Sequence, residues 1–266
     1  MPHLMRIALK DGPPLGDAYP FSVPTIRALP TLDVRVGVTF FVGENGSGKS
    51  TLLEAIAASA ELPTLGTDEV EVDPTLSHAR ALGARLRLSW EQRSRRGFFL
   101  RAEDFFGYHR SQARIDVRIA REKAESESTE EELVAQWVEA RSEVHPDEVK
   151  AREVIARYDA RSHGESFMDV FTRRIQPGGL HLLDEPEGPL SPRRQIELVN
   201  LVAQAANKGA QFIIATHSPI LLACPGASIY SFDSTPVARV TYEQLDHVRV
   251  LREFLNAPMS FIGPLV

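Results

Sequence analysis

The 266-residue sequence contains a single cysteine, Cys224, and this scarcity narrows the range of possible architectures. One thiol excludes an internal disulfide framework and also a zinc or iron–sulfur site built from cysteines. We interpret Cys224 as a small buried hydrophobic residue. No run approaches the ~18–20 consecutive apolar residues of a membrane-spanning helix, and residues 1–10 lack the apolar segment of a secretory signal. The expected location is therefore the cytoplasm, without direct membrane insertion.

An excess of positive charge is also absent, because 36 acidic residues face 30 lysines and arginines, giving a net charge of -6. This balance argues against a general nucleic-acid coat protein but leaves a local basic patch open. Hydrophobic residues make up 43% of the chain and charged residues 25%, as is usual for globular proteins. Since no internal repeat or long low-complexity segment interrupts it, we predict a single domain over residues 1–266.

Buried strands alternate with helices along most of the chain. This alternation predicts an α/β fold with a mostly parallel sheet flanked by helices, in which ligands bind at the carboxyl ends of the strands. Residues 111–160 break the alternation, and their apolar spacing predicts an inserted helical subdomain. The predicted strands are Leu4–Leu9, Val34–Val42, Gly179–Leu183 and Gln211–Ala215, and the clearest helices are Lys49–Ala60 and Pro192–Asn207, the latter with Ser191 as its N-cap.

The segment GENGSGKST matches the phosphate-loop pattern G-x-x-x-x-G-K-[ST] and joins a predicted strand to a predicted helix. Its glycines allow a tight turn in which successive N–H groups face one point, and the helix adds its positive N-terminal end. Lys49 should reach the β- and γ-phosphates of a nucleotide, and the Ser50 hydroxyl should ligate Mg²⁺. The predicted nucleotide-binding residues are Gly43, Glu44, Asn45, Gly46, Ser47, Gly48, Lys49, Ser50 and Thr51.

Polar side chains follow two further predicted strands. Asp184 and Glu185 come after the apolar run that starts at Gly179, where Asp184 could hold Mg²⁺ and Glu185 could polarise a water molecule. A solvated acidic turn is the alternative for this pair. His217 follows the strand Gln211–Ala215 and could contact the γ-phosphate, although a lone histidine is more often structural. We predict that Glu185 and His217 are catalytic and that Ser50 and Asp184 form the metal site.

A third motif, SHGES, contains Ser162, Gly164 and Glu165 and lies ahead of the predicted helical run Phe167–Ile175. It resembles the signature loop of ATP-binding-cassette (ABC) ATPases. The order of phosphate loop, signature, Asp-Glu-Pro and Thr-His-Ser is similar to that superfamily. More closely, the chain resembles a family of small stand-alone ABC-type ATPases. The resemblance rests on FFVGENGSGKSTLLEAIA, GFFLRAEDFF, SHGESF, LDEPEGPLSPRRQ and QFIIATHSPILL, and it covers residues 111–160 poorly.

The resemblance implies a homodimer that sandwiches two ATP molecules, with Ser162, Gly164 and Glu165 of one subunit facing the ATP of the other. The chain also departs from the family pattern. His163 and Glu165 stand where glycines are usual, and Ser191 stands where transporter cassettes usually carry an aspartate. No glutamine follows the GFFLRAEDFF strand, where Glu103 stands instead. For adenine stacking the sequence offers Tyr19 or Phe21.

These observations favour Mg²⁺-dependent ATP binding and hydrolysis by a nucleotide-bridged homodimer that serves an unidentified partner as a switch or motor. One alternative is a DNA-associated repair or defence ATPase, motivated by the basic run Arg80–Arg121. Such runs, however, are usually solvated or paired with nearby acids, here the glutamates from Glu122 onward. Another alternative is the nucleotide-binding subunit of a membrane transporter, which the missing glutamine disfavours. The absence of an N-K-x-D motif argues against a GTPase.

Overall fold

The computed structural model describes residues 3–65, 77–94, 96–101 and 163–262. The predicted insert at 111–160 lies outside these residues, and so do Glu103 and Ser162. The described chain contains two β-sheets of different type, a six-stranded sheet and a three-stranded one.

The larger sheet is mostly parallel, as the sequence predicts. In spatial order its strands are β5 (Gly97–Arg101), β6 (Leu180–Asp184), β7 (Gln211–Ala215), β3 (Val38–Val42), β8 (Ser228–Ser231) and β9 (Ala238–Val240). The first five strands run parallel, and β9 is antiparallel to its neighbour. Every residue of β3, β6 and β7 is buried, which suits parallel strands covered on both faces.

The smaller sheet is antiparallel and was not expected from the sequence. Its order is β2 (Leu32–Asp33), β1 (Leu4–Leu9) and β4 (Leu86–Trp90). The predicted strand Val34–Val42 is therefore wrong in its first half, because the chain changes sheets before β3 begins at Val38. The Val34 N–H still bonds the Met5 carbonyl of the small sheet at 3.0 Å. A β-carbon on Gly37 would lie 2.9 Å from the Ala206 side chain, so the connecting chain passes too close to a helix for a larger residue.

Helices cover both faces of the larger sheet, also as predicted. The two longest predicted helices, Lys49–Ala60 and Pro192–Asn207, have the predicted bounds. Ser191 occupies the N-cap position, but its side chain makes no capping hydrogen bond. Among the described helices, none is both long and apolar enough to cross a membrane. The helices are α1 (Pro24–Arg27), α2 (Lys49–Ala60), α3 (Ser77–Arg85), α4 (His163–Arg174), α5 (Pro192–Asn207), α6 (Pro219–Leu222) and α7 (Asp246–Asn256), with 3₁₀ turns at Tyr242–Gln244 and Pro258–Ser260.

The core divides into two layers because alternate residues of each strand face opposite sides of the sheet. In β7, Ile213 and Ala215 pack with α1, α2, α3 and the small sheet, whereas Phe212 and Ile214 pack with α4, α5, α6 and α7. The pairing register aligns the carboxyl ends of three strands, since Ala215 lies opposite both Phe41 and Asp184. The segments that follow β3, β6 and β7 therefore leave the sheet at one edge.

Candidate nucleotide site

The phosphate loop turns between β3 and α2 through left-handed glycines. Gly46 has φ +81° and Gly48 has φ +98°, conformations that residues with a β-carbon rarely adopt. A β-carbon on Gly48 would lie 3.0–3.2 Å from Thr25, Val23 and Ile26, whereas one on Gly46 would meet open space. At Gly48 the loop therefore packs against the segment around α1, whereas at Gly46 it faces open space. Of its other members, Glu44 and Asn45 are exposed and Ser47 is partly buried.

Lys49 is the buried cation of this loop, with 4% of its surface exposed. Its ammonium donates to the carbonyl oxygens of Gly43 and of Glu44, the latter at 2.9 Å. Burial lowers the pKa of Lys49, while the carboxylates of Glu185 and Asp184 act in the opposite direction. The ammonium group thus lies between the loop and the acidic strand end, with carbonyl groups as its only fixed partners in the described chain.

Ser50 and Asp184 meet across 134 residues of sequence. The Ser50 hydroxyl donates to Asp184 Oδ1 at 3.0 Å, which joins the first turn of α2 to the end of β6. Burial raises the pKa of Asp184 to about 7, and the hydrogen bond from Ser50 partly offsets this rise. A buried carboxylate of this kind favours a neutralising partner, either a proton or a cation.

The residues at this point fit a magnesium ion. A hydroxyl oxygen and a carboxylate oxygen are hard donors of the kind that Mg²⁺ prefers, and Mg²⁺ usually takes one or two such protein ligands together with phosphates and water. In the described chain, no group of three or more His, Cys, Asp or Glu side chains could hold a metal ion by itself. The Ser47 hydroxyl is also buried without a hydrogen-bond partner in the described chain, as expected of a loop built to surround an anion.

Glu185 and His217 lie beside each other at the same edge. Glu185 Oε1 is 3.8 Å from His217 Nε2, and the two side chains are 50% and 40% exposed. Glu185 has φ +48°, and its N–H donates to the Ala215 carbonyl at 2.9 Å, so the backbone after β6 is tied to the end of β7. Within the described chain the Nε2 atom of His217 is shielded from solvent and has no hydrogen-bond partner. Both side chains are therefore partly exposed at this sheet edge, whereas the Nε2 atom of His217 is buried.

The predicted signature residues fall at the start of α4. The helix begins at His163, so Gly164 and Glu165 belong to its first turn, and the expected start at Phe167 is wrong by four residues. Phe167 and Phe171, one turn apart, are both fully buried and anchor the helix in the core. Ser162 lies outside the described residues, and the assignment of all three to a neighbouring subunit stays a prediction.

Tyr19 and Phe21 differ in their accessibility. Tyr19 is 54% exposed, and its hydroxyl lies 2.9 Å from the Thr51 hydroxyl. Phe21 is partly buried against the core. The Tyr19 ring also lies 5.1 Å from the His78 ring, centroid to centroid. The aromatic surface beside the phosphate loop is therefore Tyr19, while the hydroxyl of Thr51 faces that ring.

Two carboxylates of this site were missed at the sequence level. Asp233 Oδ1 accepts the N–H of Glu44 at 2.8 Å and so holds the start of the phosphate loop from a position after β8. Glu187 Oε1 accepts the Thr216 hydroxyl at 2.7 Å and the His217 N–H at 2.8 Å. Neither residue belongs to a nucleotide motif read above, although Glu187 stands in the quoted stretch LDEPEGPLSPRRQ.

Two family models match the chain, one on each flank. A model described as "AAA domain" matches residues 26–132, which include the phosphate loop. A second, described as "AAA domain, putative AbiEii toxin, Type IV TA system", matches residues 166–223, which include Asp184, Glu185 and His217. No curated protein matches the chain.

Solved structures of similar proteins include the Smc head domain of Pyrococcus furiosus, with 12% identity, a TM-score of 0.43 and coverage of 96% of this chain and 100% of that one. A nucleotide-free ATP-binding cassette from an ABC transporter has 17% identity, a TM-score of 0.41 and coverage of 98% and 99%. The SMC head domain from Thermotoga maritima has 13% identity, a TM-score of 0.43 and coverage of 91% and 99%. The two AAA-domain models therefore fall on the two segments of the chain whose strands β3, β6 and β7 end at one sheet edge.

Proposed function

We propose that the protein binds ATP together with Mg²⁺ and hydrolyses it at the edge where β3, β6 and β7 end. The observation that carries this proposal is the 3.0 Å hydrogen bond between Ser50 and Asp184. It places a phosphate-loop hydroxyl against a buried carboxylate. Glu185 is the residue after that carboxylate, and its side chain lies beside His217. The groups proposed to bind the phosphates, to hold the metal and to activate water therefore lie close together at one edge of the sheet.

Each residue has a separate task in this proposal. Lys49 and the N–H groups at the start of α2 bind the triphosphate, because both present positive charge. Ser50 and Asp184 hold Mg²⁺, which when bound offsets the negative charge of the phosphates. Glu185 accepts a proton from the attacking water and orients it. His217 donates a hydrogen bond toward the γ-phosphate from its unpartnered Nε2.

Tyr19 is the proposed adenine-stacking residue, and the signature turn is proposed to act in a dimer. The Tyr19 ring is exposed beside the phosphate loop, whereas Phe21 is packed against the core. Gly164 and Glu165 lie at a helix N-terminus, where N–H groups without intrahelical partners favour an anion. The closed form would then be a homodimer in which each ATP contacts both subunits.

The basic run Arg80–Arg121 gives less support to a DNA-associated function than its composition indicates. In its described part, three arginines already pair with carboxylates at 2.7–3.2 Å, namely Arg87 with Asp11, Arg93 with Glu61 and Arg101 with Glu54. These acids lie outside the glutamate-rich segment from Glu122 onward that the sequence suggests as the partner. A second function at this run is therefore not proposed.

Steady-state ATP hydrolysis, measured with and without Mg²⁺, tests the proposed function. Lys49→Ala should weaken ATP binding at least ~10-fold, because it removes the one buried cation of the loop. Glu185→Gln should bind ATP as the wild type does and lower kcat about 100-fold or more, because the general base is removed while the fold is kept. Titration with a fluorescent ATP analogue separates the two effects.

The matched control is Glu197→Gln, which makes the same chemical change in an exposed residue of α5 that pairs with Arg194. Its kcat and ATP affinity should equal those of the wild type. A wild-type protein that binds no ATP, or a Glu185→Gln variant with normal turnover, would contradict the proposal.

A further inference from the structure

The Glu187 side chain connects the end of β6 with the end of β7. The proposed reaction requires that these two strand ends keep fixed positions relative to each other. Its Oε1 atom accepts two hydrogen bonds, from the Thr216 hydroxyl at 2.7 Å and from the His217 N–H at 2.8 Å. Glu187 follows Glu185 by two residues, so one carboxylate at the end of β6 holds the backbone at the end of β7. Hydrogen bonds to a charged acceptor are stronger than neutral ones, which makes this link a firm one.

The link continues into α5 and α6. The Thr216 hydroxyl, which donates to Glu187, also accepts the Ser218 N–H at 2.9 Å. The Ser218 hydroxyl donates to Gln195 Oε1 on α5 at 2.6 Å and caps α6 by accepting the N–H groups of residues 220 and 221. The segment from Thr216 to Ser218, which includes His217, is therefore held at both ends. Its partners are the side chains of Glu187 and Gln195, which both follow the acidic pair in the sequence.

Unlike the backbone of His217, its imidazole ring is not held by a hydrogen bond at Nε2. Its Nε2 atom has no hydrogen-bond partner in the part of the chain that the structure describes, and it lies 3.8 Å from Glu185 Oε1, too far for a hydrogen bond. The position of the ring thus depends on its backbone, and the backbone depends on Glu187. The second carboxylate oxygen, Oε2, is buried without a partner, so Glu187 does not itself reach solvent at that atom.

We propose that Glu187 is a positioning residue that holds His217 beside Glu185 and thereby supports turnover without touching the nucleotide. This inference rests on the proposed ATP hydrolysis. A ~1 Å displacement of a reacting group can lower a rate about 100-fold even when the change is remote from the chemistry. Loss of Glu187 should therefore lower kcat through His217. It should change ATP binding little, because the Glu187 charge is the weakest of the four carboxylates that act on Lys49.

Steady-state kinetics of Glu187→Ala and Glu187→Gln provide the first test. Glu187→Ala should lower kcat about 10–100-fold with the KM for ATP within about threefold of the wild type. Glu187→Gln keeps an acceptor oxygen for both donors and should stay within about fivefold of the wild-type kcat. Thr216→Val keeps the size but removes the hydroxyl that donates to Glu187 and accepts from Ser218. It should lower kcat to an intermediate degree, and it tests the same link if Glu187→Ala does not fold.

A double-mutant cycle with His217→Ala distinguishes positioning from a general structural role. If Glu187 acts through His217, adding Glu187→Ala or Thr216→Val to His217→Ala should lower kcat by less than about twofold. Full multiplication of the two effects, or a Glu187→Ala variant with wild-type kcat, would overturn the inference. Glu197→Gln again serves as the control. Absence of hydrolysis in the wild type would instead overturn the proposed function, so the two failures are distinguishable.

Discussion

Asp233 shows how a single carboxylate can have opposite effects on an anion-binding loop. It accepts the Glu44 N–H at 2.8 Å and so fixes the first turn of the phosphate loop. The same negative charge lies close enough to influence Lys49, whose pKa it helps to raise against the larger effect of burial. The hydrogen bond organises the loop for phosphate, whereas the charge repels phosphate.

Two substitutions at this position should therefore separate the effect of the charge on ATP affinity from the effect of the hydrogen bond. Asp233→Asn keeps the acceptor oxygen and removes the charge, so ATP should bind roughly fivefold more tightly, as expected for ~1 kcal/mol of repulsion in a partly solvated site. Asp233→Ala removes the acceptor as well, and the freed loop should bind ATP more weakly than in Asp233→Asn. Isothermal titration at two salt concentrations measures both effects, and equal affinities for the two variants would refute this account.

At the scale of elements, β6 carries a histidine that the site does not use. His181 is fully buried, with its ring 4.7 Å from the Phe98 ring and 5.1 Å from the Phe212 ring. Burial lowers the pKa of His181 to about 4, and the Gln176 carbonyl offsets this only in part. The folded protein thus keeps this side chain neutral.

The His181 pKa predicts a stability that falls on acidification. Because the unfolded chain binds this proton near pH 6.5 and the folded chain only near pH 4, the contribution of neutral His181 is complete above pH 6.5. It is lost progressively between pH 6.5 and pH 4, to a total on the order of 3 kcal/mol. Asp184 has the opposite effect on the free energy of unfolding over an overlapping pH range. Because its pKa is raised to about 7, acidification stabilises the folded protein through this group.

Urea denaturation of the wild type and of His181→Leu at several pH values isolates this effect. The difference in the free energy of unfolding between the two proteins should shift in favour of His181→Leu as the pH falls from 7 to 4. The Asp184 contribution is common to both and cancels. A difference that does not change with pH would show that His181 is not responsible.

Gln211, the first residue of β7, joins the two sheets through its side chain. Its Oε1 atom accepts the N–H groups of His3 and Leu4, and its Nε2 atom donates to the carbonyls of Leu4 and Val34, all at 2.7–2.9 Å. Gln211→Leu has a similar size but leaves four backbone groups without partners, so we expect a loss of about 3–5 kcal/mol in the free energy of unfolding. Thermal melting should detect it.

The control for this prediction is Gln204→Leu on the exposed side of α5. It should change the free energy of unfolding by no more than about 0.5 kcal/mol, as is usual for surface substitutions. Similar losses in the two variants would mean that the amide of Gln211 does not hold the sheets together.

At the scale of the whole molecule, the proposed closed form is a nucleotide-bridged homodimer of the 29.5 kDa chain. Glu185→Gln should accumulate as this dimer with Mg²⁺ and ATP, because it binds the nucleotide without consuming it. Lys49→Ala should remain monomeric, since it lacks the bridging ligand. Size-exclusion chromatography with light scattering, using ADP as the control, measures the mass. A Glu185→Gln variant that stays monomeric at saturating ATP would contradict the sandwich.

Sequence reasoning was accurate where the pattern is local. The bounds of β1, α2, α5 and β7 agree with the predictions, because periodicity and flanking glycine or proline residues act over a few positions. The prediction was wrong at Val34–Val42, because this one apolar run contributes to two sheets. It was also wrong in placing SHGES before α4. The site roles of the phosphate loop, of Asp184 and of Glu185 stay predictions that the proposed experiments test.

The amino-acid sequence by itself determined the mostly parallel fold and the phosphate-loop motif. Each of these depends on residues adjacent in the chain, whose chemistry is the same in any sequence that carries the motif. Only the tertiary structure decided that Glu187 holds Thr216 and His217, that Asp233 holds the phosphate loop and that Gln211 joins the sheets. These partners lie 29 to 208 residues apart in the chain, and their contacts exist only after the strands have paired in one register. No local preference encodes such contacts, because hydrogen bonds between distant residues depend on the closure of the whole core.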